Sequence, residues 1–417
     1  GGGGFAAPGR RLDSGESGLG ARQGSLRRHN LAVVYQLLAG ADEPLSRANV
    51  AELAGLTRAT ATSLVDQLLG AGLVEELDAR MSGRAGRPAT PVRPARGTVV
   101  GLGLEVNVDY LGARAIDLTG EVIAEQVVPD DFGGSDPDQA LAALAQAAKS
   151  VQRGALKRGA RIVGAALAVP GPVDRPLGPL RLAPNLGWSN VDVAAILARL
   201  MPVRLIRVDN EASLAARAES AARAAAASWA PTDGFIYVSG GIGIGSAIVE
   251  GPDMYAGAHG WAGELGHVTV YPDGRACRCG ATGCLEQYAG RRAVAVSSGL
   301  PPTTSGAELA NLAAAGRVPV RSALADAGRA LGIALAGTVN LVDIPTVVLG
   351  GDLAVLAPYL AAPITAELSN RVLASHWAPD SGAVLAAMAL DLPAMTGAGL
   401  AVVDHVAADP AAHLLNA

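Results

Sequence analysis

The sequence has little cysteine, few aromatic residues and no long hydrophobic run. Only 3 of its 417 residues are cysteine, and Phe, Trp and Tyr together make up 3%. An odd cysteine count without a secretory leader argues against a disulfide-stapled secreted protein. No uncharged apolar run reaches the roughly 18 residues that a membrane-spanning helix needs, and the Gly-rich start does not resemble a signal peptide. We therefore expect a soluble, cytoplasmic protein that makes no membrane contact.

Length and apolar content indicate a globular protein of more than one domain. A chain of 417 residues that is 50% hydrophobic can bury a large core and should form two or three domains. Residues 1–21 are rich in Gly, Ser and charge, which predicts a disordered tail. Residues 1–96 carry 12 Arg and 9 acidic residues, a net charge of +3. Because the whole chain has a net charge of −5, the remaining residues have a net charge of −8. The basic N-terminal part is thus the candidate for binding nucleic acid.

All three cysteines lie in one Gly-punctuated stretch, Cys277-Arg-Cys279-Gly-Ala-Thr-Gly-Cys284, shortly after His267. Three thiolates and one imidazole are the complete ligand set of a closed zinc site, which stabilises a fold rather than activating water. The spacing therefore predicts a structural Zn²⁺ bound by His267, Cys277, Cys279 and Cys284. The alternative is three free cysteines or a disulfide.

Residues 29–93 have the pattern of a helix-turn-helix. An apolar stripe at helical spacing begins at Leu31, and a second short helix follows Ser46, a good N-cap. After a Gly-containing turn, Thr57 can cap a third helix. In such a motif the second helix of the pair enters the major groove of DNA by its N-terminal end. The apolar face of that helix is predicted to comprise Ala61, Leu64, Val65 and Leu68.

A wing is predicted after this helix. Residues 73–77 alternate like a strand, a basic Gly-rich loop follows, and residues 89–92 form the return strand. Arginines on Gly-flanked backbone can enter a minor groove or bind phosphates. The alternatives are a solvated loop and a three-helix module that binds protein. Operator DNA is the expected partner, contacted by Thr57, Arg58, Thr60, Thr62, Ser63, Arg84 and Arg87.

From residue 98 onwards, predicted strands alternate with predicted helices, an arrangement typical of layered α/β lobes. The predicted helices cover residues 139–154, 193–200 and 322–342. The predicted strands cover residues 98–104, 111–116, 162–169, 205–208, 234–238, 246–249 and 346–349.

Several motifs in this region resemble those of the ROK family of sugar kinases and sugar-responsive repressors. The most specific is Ala262-Gly-Glu264-Leu-Gly-His267, followed by the cysteine loop and then Gly283-Cys284-Leu285-Glu286. Shorter matches occur in the family's order, and together the motifs span most of residues 97–405. The shorter matches lie at residues 169–174, 183–188, 209–212, 239–243 and 347–351.

The resemblance implies an α/β fold with a winged helix-turn-helix at residues 22–96 and a ROK sensor domain at residues 97–417. That domain would be a two-lobed actin-like ATPase (ribonuclease H-like) fold with a ligand cleft between its lobes. One lobe would comprise approximately residues 97–210 plus the C-terminal helix, and the other approximately residues 211–390.

The motifs for phosphoryl transfer depart from those of the family's kinases. Asp-x-Gly-Gly-Thr in the kinases corresponds here to the strand end Gly103-Leu-Glu105-Val-Asn-Val-Asp109. Glu105 and Val106 replace the glycines that let phosphate approach the backbone, and the added negative charge opposes a triphosphate. The kinase sequence Asn-Asp-Ala-Asn reads Asn210-Glu211-Ala212-Ser213, and Gly-Thr-Gly reads Ser239-Gly-Gly241. Together these changes argue against efficient ATP-dependent catalysis.

The sugar-binding positions of the family are better preserved. The resemblance places sugar contacts at Asn185, Asn210, Glu264, His267 and Glu286, with Glu211 as an additional candidate. His267 could bind zinc through one ring nitrogen and a sugar hydroxyl through the other.

The resulting hypothesis is a sugar-responsive DNA-binding regulator, with repression as the expected sense. Its expected partners are operator DNA, a monosaccharide or sugar-phosphate effector, and further copies of itself in a homodimer or homotetramer. One alternative is an ATP-dependent, glucokinase-like sugar kinase with an appended DNA-binding domain. Another is a constitutive DNA-binding protein whose sensor domain has lost its ligand.

Overall fold

The computed structural model describes residues 17–78, 90–226, 234–251, 253–379 and 382–414. These residues form two compact units. One contains the described residues of Gly1–Ala95 and His405–Ala417, and the other contains those of Arg96–Asp404. No helix in the described part of the chain is long and apolar enough to cross a membrane.

The N-terminal unit is a three-helix domain with a small antiparallel sheet of strand order β1-β3-β2. Strands β2 and β3 flank the predicted wing, whose residues 79–89 lie outside the described residues. The elements are α1 (Ser17–Ala39), β1 (Leu45–Ser46), α2 (Arg47–Leu53), α3 (Arg58–Gly70), β2 (Val74–Glu76) and β3 (Pro91–Pro94).

Two caps define the helix-turn-helix formed by α2 and α3. Ser46 and Asn49 form a reciprocal capping box at the start of α2. The Thr57 hydroxyl caps α3 by accepting from the backbone N–H of Thr60 at 3.2 Å. The apolar face predicted for α3 is buried, which fixes the opposite face toward solvent.

Helix α1 begins earlier than expected. It starts at Ser17, so residues 17–21, predicted to belong to a disordered tail, are helical, while residues 1–16 lie outside the described residues. Once the buried residues Leu31, Val34 and Tyr35 have nucleated the helix, each upstream residue adds one backbone hydrogen bond without a new nucleation cost. Within the same unit, Arg28 of α1 forms an ion pair with Asp409.

The second unit begins with a five-stranded sheet of order β10-β7-β4-β5-β6. Strands β4, β7 and β10 are parallel, whereas β5 and β6 run antiparallel to their neighbours. A separate hairpin, β8-β9, follows β7. The elements of this first lobe are β4 (Val99–Val106), β5 (Tyr110–Asp117), β6 (Val122–Pro129), α4 (Pro137–Lys157), β7 (Arg161–Val169), β8 (Leu180–Ala183), β9 (Trp188–Val191), α5 (Val193–Leu200) and β10 (Leu205–Asn210).

A second sheet, of order β13-β12-β11-β14-β15, repeats this topology. In both sheets three consecutive antiparallel strands are extended by two strands parallel to the first. The remaining elements are α6 (Glu211–Ala225), β11 (Phe235–Gly240), β12 (Ile244–Glu250), β13 (Asp253–Met254), α7 (Glu286–Ala289), α8 (Arg291–Ser297), α9 (Gly306–Ala314), α10 (Val318–Val342), β14 (Val347–Gly351), α11 (Asp352–Arg371), β15 (Val384–Ala386) and α12 (Pro393–Ala408).

Helix α12 returns the chain to the first lobe. Ala394, Ala398 and Val402 of α12 share a buried cluster with Ala166 and Ala168 of β7. Small residues on both sides permit close packing of the helix on the sheet. Helix α12 thus completes the core of the first lobe, which begins at β4.

Candidate functional site

A cleft of about 360 Å³ lies between the two lobes. Its first-lobe wall comes from loops that follow β4, β7 and β10, because the ends of parallel strands meet at one edge of a sheet. Its second-lobe wall includes the turn between β11 and β12. The six residues predicted to contact sugar all line this cleft: Asn185, Asn210, Glu211, Glu264, His267 and Glu286.

Asn210 and Glu211 are positioned by the start of α6. Asn210 is the N-cap of this helix, and its Oδ1 accepts from the Ala212 N–H at 2.8 Å. Its Nδ2 donates to the Gly171 carbonyl at 3.2 Å, which ties the cap to the loop after β7. Both polar groups of the Asn210 side chain therefore bind backbone, which fixes the first turn of α6, where Glu211 lies.

Gly243 allows the two walls of the cleft to approach each other. A Cβ at this position would lie 2.2 Å from Oε2 of Glu286 and 3.2 Å from Nδ2 of Asn185. The following residue, Ile244, donates its backbone N–H to Glu286 Oε2 at 3.3 Å. Any side chain at residue 243 would thus displace two of the predicted sugar contacts.

A buried polar network beside the cleft was not predicted from the sequence. The Tyr110 hydroxyl donates to Oε1 of Glu105 at 2.6 Å. Asn107 Nδ2 lies 3.4 Å from the same oxygen and 3.2 Å from Oε2 of Glu211. The network links the β4-β5 hairpin to the start of α6. The only sequence signal for this network is an Asn and a Tyr beside the end of a strand.

The location of Glu105 changes the expected effect of this residue. Its side chain is only 1% exposed, and burial raises the pKa of its carboxyl group. The sequence predicted an added negative charge opposing a triphosphate, but burial favours the neutral acid. Glu105 therefore differs from a glycine at this turn by its bulk and its hydrogen bonds as well as by its acidic group.

The carboxyl group of Glu211 is strongly affected by its surroundings in the cleft. Burial raises its pKa to about 8, and the nearby carboxylates of Glu105, Glu264 and Glu286 act in the same direction. Burial likewise raises the pKa of Glu264. Near neutral pH, protonated Glu211 can donate a hydrogen bond as well as accept one.

This shift predicts a specific pH dependence of stability. A carboxyl group whose pKa is raised on folding binds more protons in the folded state, so its contribution is complete below the unfolded pKa and is lost as pH rises toward about 8. We expect Glu211→Gln to flatten the decrease in stability between about pH 5 and 8, by on the order of 3 kcal/mol. Urea unfolding at about pH 5 and at about pH 8 measures this change in the free energy of unfolding. Glu250→Gln, on the exposed end of β12, should retain the wild-type slope.

The predicted zinc ligands form one cluster. The Nδ1 or Nε2 atom of His267 and the Sγ atoms of Cys277, Cys279 and Cys284 all lie within 4.8 Å of one another. The Cys279 and Cys284 Sγ atoms are 3.7 Å apart, and Cys277 Sγ is 3.9 Å from His267 Nδ1. Two thiolates each about 2.3 Å from a tetrahedral zinc would lie about 3.8 Å apart. The donor set and spacing fit zinc, and all three cysteines are free.

The cysteine loop is ordered by its own backbone. Cys277 donates its N–H to the Ala281 carbonyl at 2.8 Å, and Gly283 donates to Arg275 at 2.8 Å. Gln287 Nε2 lies 3.5 Å from Cys277 Sγ, as expected for an outer hydrogen bond to a metal-binding thiolate.

The two ring nitrogens of His267 face different groups. Nδ1 faces Cys277, while Nε2 lies 3.9 Å from Oε2 of Glu264 in the cleft. With zinc on Nδ1, the ring would have to carry its proton on Nε2 and would present a donor toward the cleft. This arrangement has the geometry required for the dual role predicted from the sequence.

Three polar contacts at the rim connect the two lobes. Arg278, between two of the cysteines, donates to Asn185 Oδ1 at 3.4 Å. Arg291 forms an ion pair with Asp109 at 3.0 Å. On another side, Trp261 Nε1 donates to Asp174 Oδ1 at 2.9 Å. We call these three pairs the rim contacts.

The predicted DNA-contacting residues of α3 lie at its start and along its outer face. Thr57, Arg58, Thr60 and Ser63 are exposed, and Thr62 is half-buried. The Thr57 and Thr60 hydroxyls are 2.9 Å apart, so Thr57 acts first as a cap. Arg58, Thr62 and Ser63 border an open groove within the N-terminal unit. Arg84 and Arg87, predicted for the wing, lie outside the described residues.

Comparison with known proteins agrees with this architecture. The ROK family profile matches residues 101–404, and the IclR helix-turn-helix domain matches residues 34–78. The xylose repressor of Bacillus subtilis (strain 168) is 27% identical, over 79% of this chain and 84% of its own length. A glucokinase of Streptomyces coelicolor is 24% identical, over 68% of this chain and 93% of its own length.

A solved structure shows the same fold over nearly the whole chain. The crystal structure of a ROK family transcriptional regulator, a homologue of the E. coli MLC protein, superposes with a TM-score of 0.75 at 23% identity, covering 92% of this chain and 98% of that one. The predicted fold, a winged helix-turn-helix followed by a two-lobed actin-like ATPase domain, is confirmed. The chain belongs to the ROK family and carries an IclR-type helix-turn-helix at its N-terminus.

Proposed function

We propose that this protein is a sugar-responsive transcriptional repressor whose N-terminal unit binds operator DNA and whose cleft binds a monosaccharide or a sugar phosphate. The observation that carries the proposal is the convergence of six polar side chains from both lobes on one cleft of about 360 Å³. A pyranose presents neighbouring hydroxyls, which require fixed donors and acceptors in a partly desolvated cavity. The named relative makes xylose the first sugar to test.

Each wall would contribute a different part of sugar recognition. Asn185 from the first lobe, with Glu211, Glu264 and Glu286 from the second, would hold hydroxyl groups across the cleft. His267, held on Nδ1 by the metal cluster, would add a donor. Zinc bound by His267, Cys277, Cys279 and Cys284 would contribute structural stability only, because the four protein ligands leave no open coordination position.

We propose that signalling operates through a homodimer or homotetramer. Dimeric helix-turn-helix proteins read two half-sites whose separation is fixed by the assembly. A sugar that binds both walls favours the closed cleft, and closure would change the separation of the paired DNA-binding units. This role requires the protein to act in the cytoplasm, where operator and sugar are both available.

We also infer that the cleft is not an efficient kinase site. The buried Glu105 occupies the phosphate turn, and Glu211 replaces the shorter carboxylate of the kinases while accepting from Asn107. An extra methylene displaces a reacting oxygen by about 1 Å, a shift that can cost on the order of 100-fold in rate. A coupled ADP-release assay over a sugar panel tests this, and sugar-dependent turnover at a glucokinase-like rate would overturn it.

The deciding experiment is binding of the zinc-loaded protein to its own upstream DNA at about 0.15 M ionic strength, titrated with sugars and their phosphates. The expected result is specific binding that one sugar weakens. Specific binding with no sugar effect, together with no sugar binding by calorimetry, would favour a constitutive DNA-binding protein instead.

Arg58 provides a test of the DNA interface. It is exposed at the N-terminal end of α3, where the second helix of the motif enters the major groove. We expect Arg58→Ala to weaken operator binding about 10-fold, since one base contact is worth about 1–3 kcal/mol. Fluorescence anisotropy with labelled operator measures the effect. Arg199→Ala, an exposed arginine of the ROK domain, is the matched control and should bind as wild type.

A further inference from the structure

A loop beside the cleft exposes aromatic side chains. In a chain with only 3% aromatic residues, Tyr255 and Trp261 are 54% and 42% exposed. The His259 and Trp261 rings lie against each other, with centroids 4.7 Å apart and an interplanar angle of 36°. Aromatic side chains normally bury most of their surface. We call the stacked pair of His259 and Trp261 the aromatic platform.

The indole of the platform is held in a fixed orientation. Trp261 Nε1 donates to Asp174, whose other carboxylate oxygen forms an ion pair with Arg181. Gly260 has φ +91°, and a Cβ there would lie 2.8 Å from Cγ of Arg175. The loop can therefore lie close to the first lobe only because residue 260 lacks a side chain.

Short stretches of chain join the platform and its partner Asp174 to residues that line the cleft. Trp261 precedes the cleft residue Glu264 by three residues, a length of chain that spans at most about 10 Å. On the opposite wall, Asp174 follows the cleft residue Pro172 by two residues. Leu182, the residue after Arg181 in the sequence, lines the cleft and is 41% exposed. Both walls thus bring the platform and its polar partners close to the cavity.

We propose that the aromatic platform is an outer sugar subsite and that the effector is a disaccharide or longer oligosaccharide. The inference rests on the proposed function. One unit would occupy the cleft, and the next would lay its C–H face on the electron-rich faces of Trp261 and His259. Asp174 and Arg181 lie beside the indole and would bind hydroxyls of the outer unit.

The size of the platform favours a sugar over a protein partner. A stable protein interface buries about 800 Å² on each side, whereas the stacked rings of His259 and Trp261 offer a patch about the size of one sugar unit. The flanking groups of Asp174 and Arg181 are polar and already oriented by their ion pair. A few fixed polar groups beside a flat apolar surface are typical of small-ligand sites.

Calorimetric titration of the zinc-loaded full chain tests the subsite. The probes are xylose, xylobiose and xylotriose, with glucose, cellobiose and maltose as a second series. We expect one disaccharide to bind at least 10-fold more tightly than its monosaccharide. Trp261→Leu should reduce that ratio to about one and change monosaccharide affinity by no more than about 5-fold, the value of one rim contact, while Trp261→Phe should retain most of the ratio. Trp377→Leu, which removes another exposed indole, should keep the wild-type ratio.

The possible failures are distinguishable. If the wild-type protein binds a monosaccharide as tightly as every related oligosaccharide, the outer subsite is wrong while the proposed function stands. If Trp261→Leu weakens monosaccharide and disaccharide equally in a protein with a wild-type circular dichroism spectrum, the indole supports the cleft through Asp174 and the subsite is also wrong. If the folded, zinc-loaded protein binds none of these sugars or their phosphates, both proposals fail.

Discussion

Replacing Cys284 with Ser is expected to lower the melting temperature by roughly 10 °C and to abolish tight zinc binding. The Cys284 side chain is completely buried, so a serine hydroxyl would leave an unsatisfied polar group as well as an incomplete ligand set. Structural metal sites contribute their binding free energy to folding, and the loss expected here is about 3–5 kcal/mol. Calorimetry and a colorimetric zinc assay measure the two effects.

Two controls separate metal loss from local damage. Thr282→Ala changes an exposed residue of the same loop and should keep both zinc and stability. Treating the wild-type protein with a chelator should reproduce most of the Cys284→Ser effect, and adding zinc back should reverse it. A wild-type protein that is purified without metal and melts at the same temperature with and without zinc would rule out the zinc site.

The second large effect is expected at Glu264. Its half-buried carboxyl group lies in the cleft, 3.9 Å from His267 Nε2. A hydrogen bond involving a charged group is worth about 1.5–3 kcal/mol. Glu264→Ala should therefore weaken sugar binding by roughly 10- to 150-fold, while operator binding without sugar stays as in wild type. Calorimetry with the sugar tests the first expectation, and fluorescence anisotropy with labelled operator tests the second.

Glu250→Ala serves as the matched control because it removes an exposed carboxylate from the same lobe, at the end of β12. It should leave both affinities unchanged. A Glu264→Ala protein that still releases operator at the wild-type sugar concentration would exclude this residue from the sugar site. Loss of operator binding without sugar would instead show that Glu264 supports the fold.

Motifs with local physical signals were predicted well from the sequence. Ser46 and Thr57 cap the helices that they were expected to cap, because capping depends on residues three positions apart. Helix α5 has the bounds predicted from its apolar spacing. The cysteine cluster also follows from short-range spacing. Such features depend on few neighbours, and a sequence pattern is sufficient to find them.

Elements defined by tertiary contacts were missed. Helix α6 buries residues on several sides, including Glu219 and Arg223, so it has no clear apolar face. Helix α11 contains Pro358 and Pro363, residues that ordinarily end a helix in a sequence-based prediction. Strand β6 lacks clean alternation because it is an edge strand. The Asn107–Glu211 contact joins residues 104 positions apart, which no local pattern encodes.

The rim contacts are weak, and one of them depends on salt. Each joins side chains at the edge of the cleft, where a polar or ionic contact contributes about 0–1 kcal/mol. Arg291–Asp109 is an ion pair, and screening acts over about 8 Å at physiological ionic strength. Because contacts of this strength are easily exchanged for contacts with water, opening of the cleft would be sensitive to salt. The sugar concentration that triggers a response should therefore shift with the ionic strength of the cell.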